Sequence, residues 1–273
     1  MSKKKILIVT QEMEPYTALS EISQIANQLP LYLNDNSCEI RILMPRFGTV
    51  NERRHRLHEV VRLSGMNIIV NDDDYPLIIK VASLPGSRIQ VYFLDNDDFF
   101  KRKSVFEDSE GKPFEDNVDR MVFFCKGTVE TLKKFSWPPD VIHCQGWMTS
   151  LVPLYVRTAY KSDPLFQSTK IIYSLYDSFH QKVTIEDFNA KASINNLTAD
   201  DLIPFRVGDE ADLHRGASFF SDGVVVGSET TGESVLKMLE ELDKPIITHN
   251  HATGVGRDYY EFYRSLEDVE TVV

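Results

Sequence analysis

Side chains able to do chemistry concentrate in two short stretches. The first is Asp116-Asn117-x-x-Arg120, an acid, an amide and a guanidinium within one turn and a half of helix; the second is His143-Cys144-Gln145-Gly146-Trp147. Carboxylate, amide and imidazole groups exchange hydrogen bonds with hydroxyls, and a flat ring packs on an apolar face. Asp116, Asn117, His143 and Trp147 therefore suit a polar and aromatic lining for a ligand. Scaffold roles compete with that reading: an Asp-Asn pair caps a helix, and a buried indole fills a core. Cys144 has no basic neighbour except His143 and reads as a small buried apolar residue. His249 and His251 alternate, so on a strand both would face one side as metal ligands do. No carboxylate or cysteine has matching local spacing, and a polar surface turn is the preferred reading. No metal, cofactor or catalytic residue is assigned.

The elements that must position these groups are legible around them. Val118, Met121, Val122, Phe124, Cys125, Val129 and Leu132 recur at three- and four-residue spacing, which predicts one buried helix face. Trp137-Pro138-Pro139 ends that helix. Residues 140–143 then read as a short strand and 147–157 as a second helix with Leu151, Leu154 and Tyr155 inward. The polar turn 143–146 falls at the strand's carboxyl end, where open α/β sheets hold their ligands.

Upstream, KILIVT (5–10), a helix capped by Ser20 with Ile22, Ile25, Ala26 and Leu29 inward, and EIRILM (39–44) compose a right-handed βαβ unit. Strands over 57–63, 66–70, 77–83 and 88–94, separated by Asn71–Asp74 and Pro85-Gly86-Ser87, predict antiparallel hairpins. Residues 95–111 form a charged loop. Downstream come strands at 169–174 and 223–227, a helix at 212–220, and a helix at 228–242 with Ser228 as its cap and Glu229 early in it. The expected fold is α/β: a single doubly wound Rossmann-like domain with inserted β-hairpins, over 1–245. A tail, 246–273, carries Tyr259, Tyr260, Phe262, Tyr263 and Leu266 and is expected to pack back on the domain, with a homodimer or a partner protein as the alternative cover.

Residues 116–156 resemble the acceptor-side domain of bacterial glycogen and plant starch synthases. That family's helix reads DN-x-x-RF-x-x-F, and its next strand and turn read P-D-(I/V)-(I/V)-H-x-H-D-W-H. Asp116, Asn117, Arg120, Phe124, Pro139, Asp140, His143, Trp147, Thr149, Leu151 and Pro153 fall on the pattern. Gln145 and Met148 replace two family histidines, and Gly146 replaces an aspartate. The opening resembles the family's E-x-x-P-(F/Y)-x-K-x-G-G-L through Glu12, Pro15 and Tyr16, and 43–48 (LMPRFG) resembles a later block. There the phosphate-facing lysine falls on Ala18, the two glycines on Ser20 and Glu21, and an aspartate on Gln24. A glycine pair before a helix lets backbone amides approach an anion, whereas Glu21 sets a carboxylate at that place. Tyr176 and Asp177 stand where the family has a His-Asn pair.

The resemblance implies the N-terminal half of a glycosyltransferase B fold, with the second, donor-binding domain missing. It also implies Tyr16, Asp116, Asn117, Arg120, His143, Gln145 and Trp147 as candidate ligand-contacting residues, and a glucan or ADP-glucose/ADP as ligand. The expected function is that of a single-domain relative of ADP-glucose:α-1,4-glucan glucosyltransferases, inactive alone and acting as a glucan-binding or regulatory protein. The alternative is a glycogen synthase completed by a second domain on another chain.

Composition excludes other classes. With 273 residues, 42% hydrophobic and 26% charged, the chain can bury a full core, and its net charge of −11 disfavours nucleic acid and anionic membranes. No apolar run is long enough to span a bilayer, and the one at the N-terminus is too short for a signal peptide. Three widely spaced cysteines, Cys38, Cys125 and Cys144, fit free thiols in a reducing compartment, and a cytoplasmic location is expected.

Overall fold

A computed structural model describes residues 3–176, 181–194, 197–228, 233–249 and 255–268. The chain begins with β1 (Lys5–Thr10), α1 (Glu21–Asp35), β2 (Glu39–Pro45), α2 (Glu52–His55), β3 (His58–Glu59), β4 (Met66–Val70), β5 (Asp73–Ser83), β6 (Gln90–Asp95) and α3 (Asp97–Phe100). It continues through α4 (Asn117–Phe135), β7 (Val141–Gln145), α5 (Leu151–Arg157), β8 (Lys170–Leu175), α6 (Ile185–Ala192), β9 (Arg206–Val207) and β10 (Glu210–Ala211). It closes with α7 (Leu213–Phe220), β11 (Gly223–Val226), α8 (Glu233–Glu240), β12 (Ile246–Thr248) and α9 (Arg257–Asp268).

One sheet organises these elements, in the order β12-β11-β8-β7-β1-β2-β6-β5-β3, with β4 paired to β5. The run from β12 to β6 is parallel throughout, and the β3, β4 and β5 pairings are antiparallel. The five strands expected at the centre share this sheet. Both faces are covered, which is why the inner strands read as unbroken apolar runs. Leu7 and Val9 face the layer of α4 and α5, whereas Ile6 and Ile8 face α1 and α9, as the two-residue period of a strand requires. The β4–β5 hairpin closes on Asn71-Asp72, both at positive φ, the conformation a two-residue hairpin turn needs.

Three local expectations are corrected. β7 runs to Gln145 instead of stopping at His143, because its ladder to β1 continues as far as Thr10↔Gln145. The residues after Pro245 are no surface turn: Ile246–Thr248 pairs with β11 at the sheet edge, and His249 is buried beside Tyr259. α4 is not capped by the Asp116 side chain, since that carboxylate is held by Arg102 instead. The expectations for Asp177, Glu229 and His251 concern positions outside the described residues. No helix among the described residues is long and apolar enough to cross a membrane.

Candidate functional site

The chain leaves β1 in one direction, through β2 to β6, and returns on the other side of β1 as β7. The carboxyl ends of β1 and β7 therefore mark the switch point of the sheet, where a crevice opens. Gln11 follows β1 and Gly146 follows β7. Gly146 sits at φ +83°, and a Cβ there would lie 2.3 Å from Gln11 Oε1, so only glycine lets the Gln11 amide fold across this turn. Between them Gln145 is fully buried, and neither atom of its amide meets a hydrogen-bond partner among the described residues. A buried amide of this kind costs stability unless something satisfies it.

Two carboxylates meet the first turn of α1. Glu12 is buried; its Oε2 accepts from the backbone N–H of Leu19 at 2.6 Å and of Ser20 at 2.9 Å, and its Oε1 from the Ser20 hydroxyl at 2.7 Å. Glu21 accepts from the Ser228 hydroxyl at 2.9 Å, which joins the start of α1 to the loop after β11. Ala18 is exposed and brings no cation. The amides and helix dipole that could receive an anion thus already face negative charge.

A second assembly stands at the start of α4. Asp116 takes two 2.6 Å bonds from Arg102. Asn117 donates to the Phe106 carbonyl at 2.9 Å and to Gln181 at 3.2 Å, and its oxygen accepts from Arg120 at 2.8 Å. Arg120 is fully buried, donates to the carbonyls of Phe99 at 2.8 Å and Val105 at 2.6 Å, and lies within 5.6 Å of the rings of Phe47, Phe100 and Phe114. Burial lowers its pKa to about 10, so it remains a cation. Trp147 packs on Phe106 with centroids 4.9 Å apart. Asp116, Asn117, Arg120 and Trp147 are thereby gathered around the 101–116 loop, which they hold in place.

The remaining candidates lie elsewhere. His143 is a mid-strand residue on the face covered by α9, fully buried, with Nε2 2.7 Å from Ser174 Oγ and Nδ1 2.7 Å from the Tyr263 hydroxyl. Burial drives its pKa down to about 3, so the imidazole is neutral, donating through one nitrogen and accepting through the other. Tyr16 turns away from the crevice: its hydroxyl donates to the Ser83 carbonyl at 3.2 Å, and its ring meets His55 and Phe93 edge-on. Sequence reasoning passed over Gln11, Arg102, Phe106, Ser174 and the contact of Glu12 with α1. None of these carries a spacing signal, because each acts across a loop or between strands. No group of three or more His, Cys, Asp or Glu among the described residues is placed to hold a metal.

The sequence model of the family described as "Starch synthase catalytic domain" matches residues 5–247. Glycogen synthase of Chlorobium limicola is 37% identical over 180 residues, 66% of this chain and 37% of the relative; that of Chlorobium chlorochromatii is 38% identical over 178 residues, 65% and 36%. The chain thus spans well under half the length of the curated relatives it matches. Among solved structures, the catalytic domain of starch synthase IV from Arabidopsis thaliana, bound to ADP and acarbose, superposes with a TM-score of 0.76 at 18% identity, over 90% of this chain and 51% of that one.

Proposed function

The chain belongs to the starch synthase catalytic domain family, and from that premise we propose that it is a glucan-binding or regulatory member that does not transfer glucose from ADP-glucose by itself. The observation that carries the reading is the contact between Glu21 and Ser228 at the first turn of α1. A leaving diphosphate needs fixed donors and positive charge. Here Glu12 already holds the amides of Leu19 and Ser20, Glu21 adds a second carboxylate, and Ala18 offers no cation. The repulsion acts before any chemistry can begin.

The sugar side of the crevice rests on Gln145, which brings to the carboxyl end of β7 an amide with no hydrogen-bond partner among the described residues, while Asp116, Asn117, Arg120 and Trp147 are taken up in bracing the 101–116 loop. An uncharged amide matches sugar hydroxyls, which suits a maltooligosaccharide better than a nucleotide. The same assembly favours the second reading, a glucosyltransferase half-site completed by a domain on another chain. We place the protein in the cytoplasm.

Calorimetric titration of the 273-residue protein with maltooligosaccharide, ADP and ADP-glucose, run in parallel, tests the proposal. Binding of the oligosaccharide alone is expected, together with background incorporation of labelled glucose from ADP-glucose into glycogen. Reproducible turnover abolished by Asp116→Ala would overturn the non-transferase reading.

A further inference from the structure

A groove of about 760 Å³ lies apart from the crevice, between the β4–β5 hairpin, the outer face of α4, the turn after α5, and α6. Its charged and titratable lining comes from all four: Asp72 on the hairpin, Lys126, Glu130 and Lys133 on α4, Tyr160 after α5, and Lys191 on α6. Most are mutually engaged. Glu130 meets Lys133 at 3.5 Å and accepts from the Tyr160 hydroxyl, and Lys191 bridges Asp119 and Asp187, each at 3.3 Å.

Lys126 is held differently. Its Nζ donates to two backbone carbonyls, Ile69 and Ser193, both at 3.0 Å, and it has no carboxylate partner among the described residues. A neutral amine has two N–H groups and one lone pair. Two carbonyls fix both N–H groups, and the lone pair is left the remaining tetrahedral direction on a side chain that lines the groove.

We propose that Lys126 is an amine-acylation site, which takes its acyl group from small activated donors of the acyl phosphate class that enter this groove. In that step the Nζ lone pair attacks the acyl carbon and an N–C bond forms. The C–O bond to phosphate breaks, its electron pair leaves on the phosphate, and the amine's proton passes to solvent. Lys133 and Lys191, each already shared with carboxylates, line the same groove and have ammonium N–H groups left to donate to the donor's phosphate oxygens.

Burial lowers the pKa of Lys126 to about 8, so about a tenth of the amine is free of its proton at pH 7 and about half at pH 8. Glu130, Asp72, Lys133 and Lys191 face the same groove, and burial is the cause of the shift. Once acylated, Nζ keeps a single N–H and can hold only one of its two carbonyls. The link that ties the β4–β5 hairpin to the end of α6 through α4 is then broken.

The test incubates the full chain with acetyl phosphate between pH 7 and pH 9 and reads the occupancy of each lysine by peptide mass spectrometry. The exposed Lys103 and Lys134 serve as references. Lys126 is expected to react about tenfold faster than either at pH 8, the gain in free amine being offset in part by its lower basicity. In urea the preference should vanish. Equal rates in the native protein, or a preference that survives unfolding, overturns the assignment.

Discussion

His143 shows how little a residue's type settles about its role. The sequence marks it as a group for the crevice, yet in the fold it is a neutral pillar between Ser174 and Tyr263. Its folded pKa of about 3 lies below the ordinary value of 6.5, so the unfolded chain takes up the proton first. The stabilisation from His143 is therefore complete above about pH 6.5 and is lost as the pH falls toward 3, by at most about 1.4 kcal/mol per pH unit. In urea unfolding, wild type should exceed His143→Gln by about 2 kcal/mol at pH 7, and the gap should close and reverse by pH 4. A gap that does not change with pH would refute this account. Asp116 teaches a related lesson. Its place at the head of a helix was legible, but its partner Arg102, fourteen residues upstream, depends on the path of a loop that no periodicity encodes. Gln11 was invisible for the same reason: its amide acts only because Gly146, from a distant strand, leaves room for it.

Periodicity placed the buried elements well, because a covered strand or a one-sided helix must repeat its apolar residues at a fixed interval. Ser20 caps α1 as read, and α4 buries the face that Val118, Met121, Val122 and Leu132 announced. Short edge elements were missed. Ile246–Thr248 is a three-residue strand that is half-exposed, so it lacks the run of apolar residues that betrays an inner strand. The stretch 95–111 reads in sequence only as a charged loop, whereas Arg120 pins it from inside, its guanidinium serving the Phe99 and Val105 carbonyls and three rings. Arg120→Ala should cost about 3 kcal/mol, since it leaves the Phe99 and Val105 carbonyls without their donors. Limited proteolysis should then cut within 101–112, where wild type resists. Arg120→Lys should not restore resistance, because an ammonium is a point donor and cannot span the same carbonyls as a planar fork. Wild-type resistance in the lysine variant would show that charge alone anchors the loop.

At the scale of the molecule, the doubly wound sheet followed from the order of strands and helices, but the way its α1-side face is closed did not. α9 lies on that face, with Tyr259, Phe262, Tyr263 and Leu266 packed among Ile6, Ile8, Ile172 and Val225. An amphipathic tail announces that it must bury one side and leaves open against what; the hydrogen bond from Tyr263 to His143 supplies the answer. Deleting residues 257–273 should uncover this apolar face and drive self-association, seen as a rise in mass by light scattering; a monomeric truncation of unchanged stability would count against the role of α9. The reach of these contacts also sets a timetable for folding. β1, the strand on which the sheet is built, pairs with β7 some 135 positions later, and the imidazole beneath that pairing is bonded by a residue 120 positions later still. At roughly 5–20 residues per second of synthesis, the first strand waits many seconds for one neighbour and as long again for its cover. A topology so rich in distant pairings folds slowly, and it leaves the β7 side of β1 an unpaired strand edge while it waits.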